Sequence, residues 1–152
     1  MASQPQSRPL PQPHSLLPRC QQLLHRFFHC LDQFDYDGLV AAFEADGVWH
    51  RQGAALQGHA AIRATLADRP LTQRIRHLLG NTFVAAVAGD AAEVVSYMTV
   101  YKFDNGLPQA GLLTIEGPLQ FYRVEATVHL GSDGDTLRAL AINPEFRFAH
   151  EA

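Results

Sequence analysis

The sequence predicts an α+β domain in which helices come first and a largely antiparallel sheet follows. Three observations carry this reading. Apolar residues recur at helical spacing up to about residue 68. After Pro70 the period changes to alternation. The alternating runs are separated by Gly89-Asp90, by Asp104-Asn105-Gly106 and by the run Gly131-Ser132-Asp133-Gly134-Asp135, two of them hairpin signals of the Asn-Gly or Asp-Gly kind. Helices followed by strands, rather than alternating with them, argue for an α+β arrangement.

The elements follow in order. Residues 1–14 carry prolines at 5, 9, 11 and 13 among glutamines, with no apolar run of the kind a signal peptide needs, and read as a disordered tail. Ser15 can cap a first helix, with Pro18 in its first turn. Leu23, Leu24, Phe27, Phe28, Leu31 and Phe34 then form one wide apolar face, opposite Gln22, His25, Arg26, His29 and Gln33. A short second helix follows Asp35, with Leu39, Val40 and Phe43 turned inward. Asp46-Gly47 marks a turn before a short strand at Val48-Trp49-His50. Gly58 opens a third helix, roughly 59–68, which Pro70 closes. Four long strands are expected at about 73–88, 91–104, 118–131 and 136–148. The segment 105–117 reads as a lid or an extra edge strand, and 149–152 as a C-terminal tail, which leaves one domain over 15–148.

Composition narrows the function classes. At 152 residues, 47% of them apolar, the chain can bury a core without disulfides or a structural metal. A net charge of −3 gives no bulk attraction for nucleic acid or an anionic membrane, and no segment has the length of a membrane span. Cys20 and Cys30 lie ten residues apart on the expected helix. That is a rise of about 15 Å, beyond disulfide reach. Two free thiols suit a reducing cytoplasm. No phosphate-cradling glycine loop, dinucleotide fingerprint or cysteine metal set is present, so cofactor-free chemistry is expected, with no metal. His25 and His29 have metal-compatible spacing but lie on the polar helix face and read as solvated.

Strand parity suggests where a ligand would sit. One row carries Ile75, His77, Leu79, Asn81 and Phe83; another Val95, Tyr97, Thr99, Tyr101 and Phe103; a third Leu119, Phe121, Arg123 and Glu125. Aromatics mixed with a few polar groups line ligand pockets, and the same mixture marks one side of a two-sided sheet.

Several local strings, in this order, resemble the SnoaL-like members of the nuclear-transport-factor-2-like superfamily: Phe34-Asp35-Tyr36-Asp37-Gly38-Leu39, Asp46-Gly47-Val48-Trp49, Gly58 with Ile62, and Arg74-Ile75-Arg76-His77 with Asn81. The resemblance covers about residues 15–148. The run from Thr72 to Asn81 and the exit Asn143-Pro144-Glu145-Phe146-Arg147-Phe148 look most like the scytalone dehydratase and bile-acid dehydratase branch. The resemblance implies a cone-shaped, barrel-like domain: three N-terminal helices packed on a strongly curved, mixed but mainly antiparallel sheet that encloses a pocket. It also implies a homo-oligomer, dimer or trimer. An aspartate after the first helix and a histidine on the sheet serve acid–base chemistry in that family, and here they match Asp35 and His77. Where some scytalone dehydratases carry two tyrosines, a second histidine and an asparagine, this chain has Phe34, His50, Thr99 and Arg123.

Each candidate has a functional and a structural reading. Imidazole titrates near neutrality, so His77 can take and return a proton. A strand histidine can equally be a core or subunit-contact residue. Asp35 can orient that ring, yet it also stands where a helix cap belongs. Trp49 and His50 are candidates for the pocket wall, as are Asn81, Tyr97, Tyr101, Phe121 and Arg123. Two functions are therefore expected. The first is a cofactor-independent dehydratase, isomerase or cyclase acting on a small, hydrophobic, oxygenated molecule. The second is a non-catalytic ligand-binding or dimerisation module.

Overall fold

The computed structural model describes residues 13–149. The element order is α1 (Pro13–Asp32), α2 (Tyr36–Ala41), β1 (Phe43–Arg51), β2 (Ala54–Gln57), α3 (Gly58–Leu66), β3 (Arg74–Ala88), β4 (Ala91–Phe103), β5 (Gln120–His129) and β6 (Thr136–Arg147). The sheet runs β2-β1-β6-β5-β4-β3. The β1–β6 pair is parallel and every other pair antiparallel.

The helices settle where their sequence directs, with two corrections. The first begins at Pro13, so Pro18 lies inside it and Ser15 is helical rather than a cap. The expected tail at 1–14 therefore yields its last two residues to the helix, and 1–12 and 150–152 lie outside the described residues. Second, Phe43 starts β1 instead of ending α2. Asp46-Gly47 sits within that strand, at a register shift between Phe43 and Val48. A side chain at Gly47 would meet the Leu137 carbonyl at 2.8 Å, so the close approach of β6 requires glycine there.

One face of the sheet carries α1. Ala92, Val94, Ser96, Met98 and Val100 of β4 are buried under it, as are Val124, Ala126 and Val128 of β5. Phe27 is fully buried, with its ring edge-on to Phe28, Phe43 and Trp49 at 4.9, 5.6 and 5.3 Å. Edge-to-face stacking adds about 0.5–1.5 kcal/mol per pair to the burial of these rings. Trp49 thereby ties β1 to the helix.

The strongly curved, barrel-like cone is not what forms. The sheet neither closes nor curls strongly. β2 and β3 stand at opposite edges, and each is hydrogen-bonded to one neighbour only. At four residues, β2 is too short to carry the sheet round toward β3. Residues 105–117 form neither helix nor strand, so the alternative of an extra edge strand falls away. Among the described residues no helix is long and apolar enough to cross a membrane.

Candidate functional site

His77 does not meet Asp35. Its ring Nδ1 lies 2.5 Å from Oδ1 of Asp32, the last residue of α1, and its backbone N–H donates to the other carboxylate oxygen at 3.1 Å. β3 is an edge strand, so an N–H pointing away from β4 has no sheet partner. One carboxylate therefore satisfies a strand donor and grips the ring beside it. Both side chains are nearly inaccessible, at 8% for His77 and 7% for Asp32. The Phe28 ring, 5.2 Å away and tilted by 35°, packs on the imidazole. With Nδ1 engaged, Nε2 is the nitrogen left for a ligand.

Asp35 does what its place in the chain requires. It caps α2, accepting the Gly38 N–H at 2.9 Å, and the Cys30 thiol reaches its other oxygen at 3.6 Å. A side chain on Gly38 would collide with the Asp35 carboxylate, so the cap and this glycine are matched.

His77 lines a cavity of about 420 Å³ on the helix side of the sheet, within the range of small-molecule sites. Leu31, Ile75, Met98, Val100 and Ile142 supply apolar wall; Arg51, Arg69, Lys102 and Tyr122 supply polar groups. The Tyr122 hydroxyl donates to Gln120 at 2.8 Å, and burial pushes its ionisation above the ordinary phenol value, so it remains a neutral hydroxyl. Arg51 has its ionisation lowered, first by burial and then by the neighbouring charge of Arg69. A second, smaller cleft on the α1 side is lined by His25, His29, Asp32 and His77. Among the described residues no three His, Cys, Asp or Glu side chains converge to hold a metal ion.

The other candidates separate sharply. Trp49 lines the cavity. His50 points to the opposite face of β1 and is exposed. Tyr97 lies on the outer face of β4, stacked on Phe121 at 5.5 Å, and Phe121 stacks in turn on Phe146 at 5.8 Å. Arg123 is also outside, paired with Glu125 at 3.1 Å. Asn81 sits at a bulge with φ +50°, between the Gly80 and Phe83 pairings. That bulge flips the strand, so Ile75, His77 and Leu79 face inward while Asn81 and Phe83 are exposed. Tyr101 lines a separate cleft of about 220 Å³ with Leu112, Leu113 and Ile115. The segment 105–117 contributes to that cleft and not to the wall of the His77 cavity.

Asp32 and Arg51 escaped the sequence reading, although each left a signal. Asp32 is four residues after Phe28, a carboxylate within an apolar helical stripe. Arg51 is two residues after Trp49 and so shares its face of the strand.

Helices first, a mixed open sheet behind them and a cavity between define a domain of the nuclear-transport-factor-2-like superfamily. Residues 18–139 match the SnoaL-like domain, and the chain belongs to that family. Similar solved structures include a proposed scytalone dehydratase from Novosphingobium aromaticivorans, 13% identical over 91% of this chain and 90% of that one, with a TM-score of 0.74. A proposed aromatic ring hydroxylase from the same organism is 19% identical over 90% and 93%, at 0.73. ActVI-ORFA from Streptomyces coelicolor is 21% identical over 86% and 98%, at 0.71. At these identities the likeness is one of fold. No curated protein matches the chain.

Proposed function

We propose that this protein is a cofactor-independent acid–base enzyme, a dehydratase, isomerase or cyclase acting on a small hydrophobic oxygenated molecule. The observation that carries the reading is the His77–Asp32 pair, 2.5 Å apart, with His77 on the wall of the 420 Å³ cavity. Removing water from a β-hydroxy carbonyl compound needs a base for the C–H beside the carbonyl and an acid for the departing hydroxyl. Nε2 of His77 takes the first proton and returns it to the leaving oxygen. Asp32 fixes the tautomer and stabilises the imidazolium formed between the two steps. A positioned group of this kind contributes about 10²–10⁴-fold. The Tyr122 hydroxyl proton goes to Gln120, which leaves the phenol oxygen to accept a hydrogen bond from a substrate hydroxyl. Asp35, the capping residue, has no part in this scheme.

The first step can be watched without knowing the natural substrate. In D₂O the protein should accelerate exchange of the protons beside the carbonyl of 2-tetralone, followed by NMR. His77→Ala should abolish the acceleration and Asp32→Asn should reduce it. Exchange no faster than in buffer, or unchanged in His77→Ala, would sink the proposal.

A specific observation supports a homo-oligomer, dimer or trimer, as the working assembly. The outer sheet face exposes Leu78, Phe83, Tyr97 and Phe146, at 57%, 52%, 41% and 64%. Large apolar side chains together on one face are the mark of a surface that meets a partner. Such an assembly would also serve a non-catalytic binding module of the same fold. Two buried free cysteines suit the reducing cytoplasm as the place of action.

A further inference from the structure

We propose that the cavity selects a substrate bearing a carboxylate, held between the guanidinium groups of Arg51 and Arg69, with its apolar body directed toward His77. The direction toward His77 rests on the acid–base reading; the preference for a carboxylate does not.

The chain has 15 acidic and 12 basic side chains, yet four of those basic groups, Arg51, Arg69, Lys102 and Arg147, line one cavity that no carboxylate among the described residues lines. Elsewhere four arginines are neutralised, Arg19 by Asp135, Arg63 by Asp37, Arg123 by Glu125, and Arg138 by Glu44 and Asp90, while Arg74 and Arg76 donate to the backbone carbonyls of Gln109 and Ile75. The cavity arginines are treated differently. Among the described residues Arg69 donates only to neutral acceptors, the Leu31 carbonyl at 2.8 Å and the Tyr36 hydroxyl at 3.3 Å. Arg51 is half-buried and has no hydrogen bond or ion pair among the described residues. Its carbon centre lies 5.3 Å from the centroid of the Trp49 ring, and that of Arg69 lies 4.8 Å from the centroid of Phe34.

Stacking on aromatic rings holds both guanidinium planes while leaving donors unspent. The Trp49 indole N–H, on a residue that also lines the cavity, is buried without an acceptor among the described residues. A half-buried cation without a counterion, beside a second cation that repels it, is costly unless a ligand brings the missing charge. A planar carboxylate fits the guanidinium fork with two parallel hydrogen bonds. The apolar wall formed by Leu31, Ile75, Met98, Val100 and Ile142 suits the hydrophobic remainder of such a molecule.

The test is calorimetric titration with matched probes: 2-naphthoate, the neutral 2-naphthamide and 2-naphthyl phosphate. The naphthoate should bind at least about tenfold tighter than the amide, as a charge-assisted pair requires, and tighter than the phosphate. Its advantage should shrink as salt is added. Arg51→Met and Arg69→Met should each cut the naphthoate-to-amide ratio to within about twofold. Arg51→Met should also melt at a higher temperature than the parent when unliganded, because an uncompensated charge has gone; that gain confirms the variant folds. Equal binding of naphthoate and amide, binding by neither, tighter binding of the phosphate, or an unchanged ratio in both variants would overturn the inference. His77→Ala keeps the two readings apart. It should keep the parent's naphthoate-to-amide ratio; proton exchange that persists in this variant, or is missing from the parent, alongside an intact carboxylate preference removes the acid–base proposal alone.

Discussion

The two faces of the sheet are built from similar residues and put to different ends. On the inner face, β4 contributes Ala92, Val94, Ser96, Met98 and Val100, all buried. On its outer face the same strand contributes Val95, Tyr97, Thr99 and Tyr101, which are larger and more aromatic, yet Tyr97 is 41% exposed. By side chain alone the outer row looks more like a binding surface. The inner row has what the outer lacks, a helix across it, and the helix turns modest residues into a core and a cavity. An aromatic row on a strand therefore marks a sheet face without saying which one holds the ligand.

The sharpest way to break the comparison is to delete one ring from each face. Phe27→Ala, on the helix that covers the inner face, should cost about 3–5 kcal/mol, read by urea denaturation. Phe146→Ala, 64% exposed on the outer face, should cost no more than about 0.5 kcal/mol in the isolated protomer. It should weaken self-association in sedimentation if that face meets another copy. Equal losses of protomer stability would mean that the outer face is as much a core as the inner.

Two carboxylates three residues apart sharpen it further. Asp32→Ala orphans the His77 backbone N–H and ring Nδ1–H together, at about 1–3 kcal/mol for each buried donor. Asp35→Ala loses a helix cap, worth about 1 kcal/mol, and a long contact from the Cys30 thiol. The first variant should also lose proton exchange and the second should keep it.

The smallest effect is a slope. Burial raises the ionisation of Cys20, and burial followed by the Asp35 charge raises that of Cys30. A group with a raised native pKa favours the folded state while protonated. This contribution is whole below the unfolded thiol value of about 8.5 and is lost as pH climbs from there through the native values. Native protein at pH 8 should resist iodoacetamide and react at both thiols once unfolded; rapid alkylation without unfolding would refute the buried placement.

Much of this arrangement was legible in the sequence. Alternation located β3, β4, β5 and β6 to within two residues at each end, because long half-buried strands leave a period-2 trace. The four-residue β2 went unseen: it has little pattern, and its turn, Gln52-Gly53 with φ +50° and +80°, lacks the usual Asn or Asp. Alternation places the row through His77 on one face as far as Leu79 and fails beyond it, since the bulge at Asn81 inverts the parity. Sheet curvature has no local signature, because it depends on how six strands pair. The sequence points to a partner for His77 one helical turn too late, at Asp35, whose capping position is a complete explanation of its own.

Trp49 is the chain's one tryptophan. It is buried to within 1%, carries the Arg51 cation over its ring, and forms part of the cavity wall. The protein thus comes with a single indole fluorophore in the compartment of interest, electrically biased by the arginine proposed to meet the ligand. A molecule that draws Arg51 toward itself changes the field on the indole, so the tint of the emission, rather than a label, reports whether the cavity is occupied.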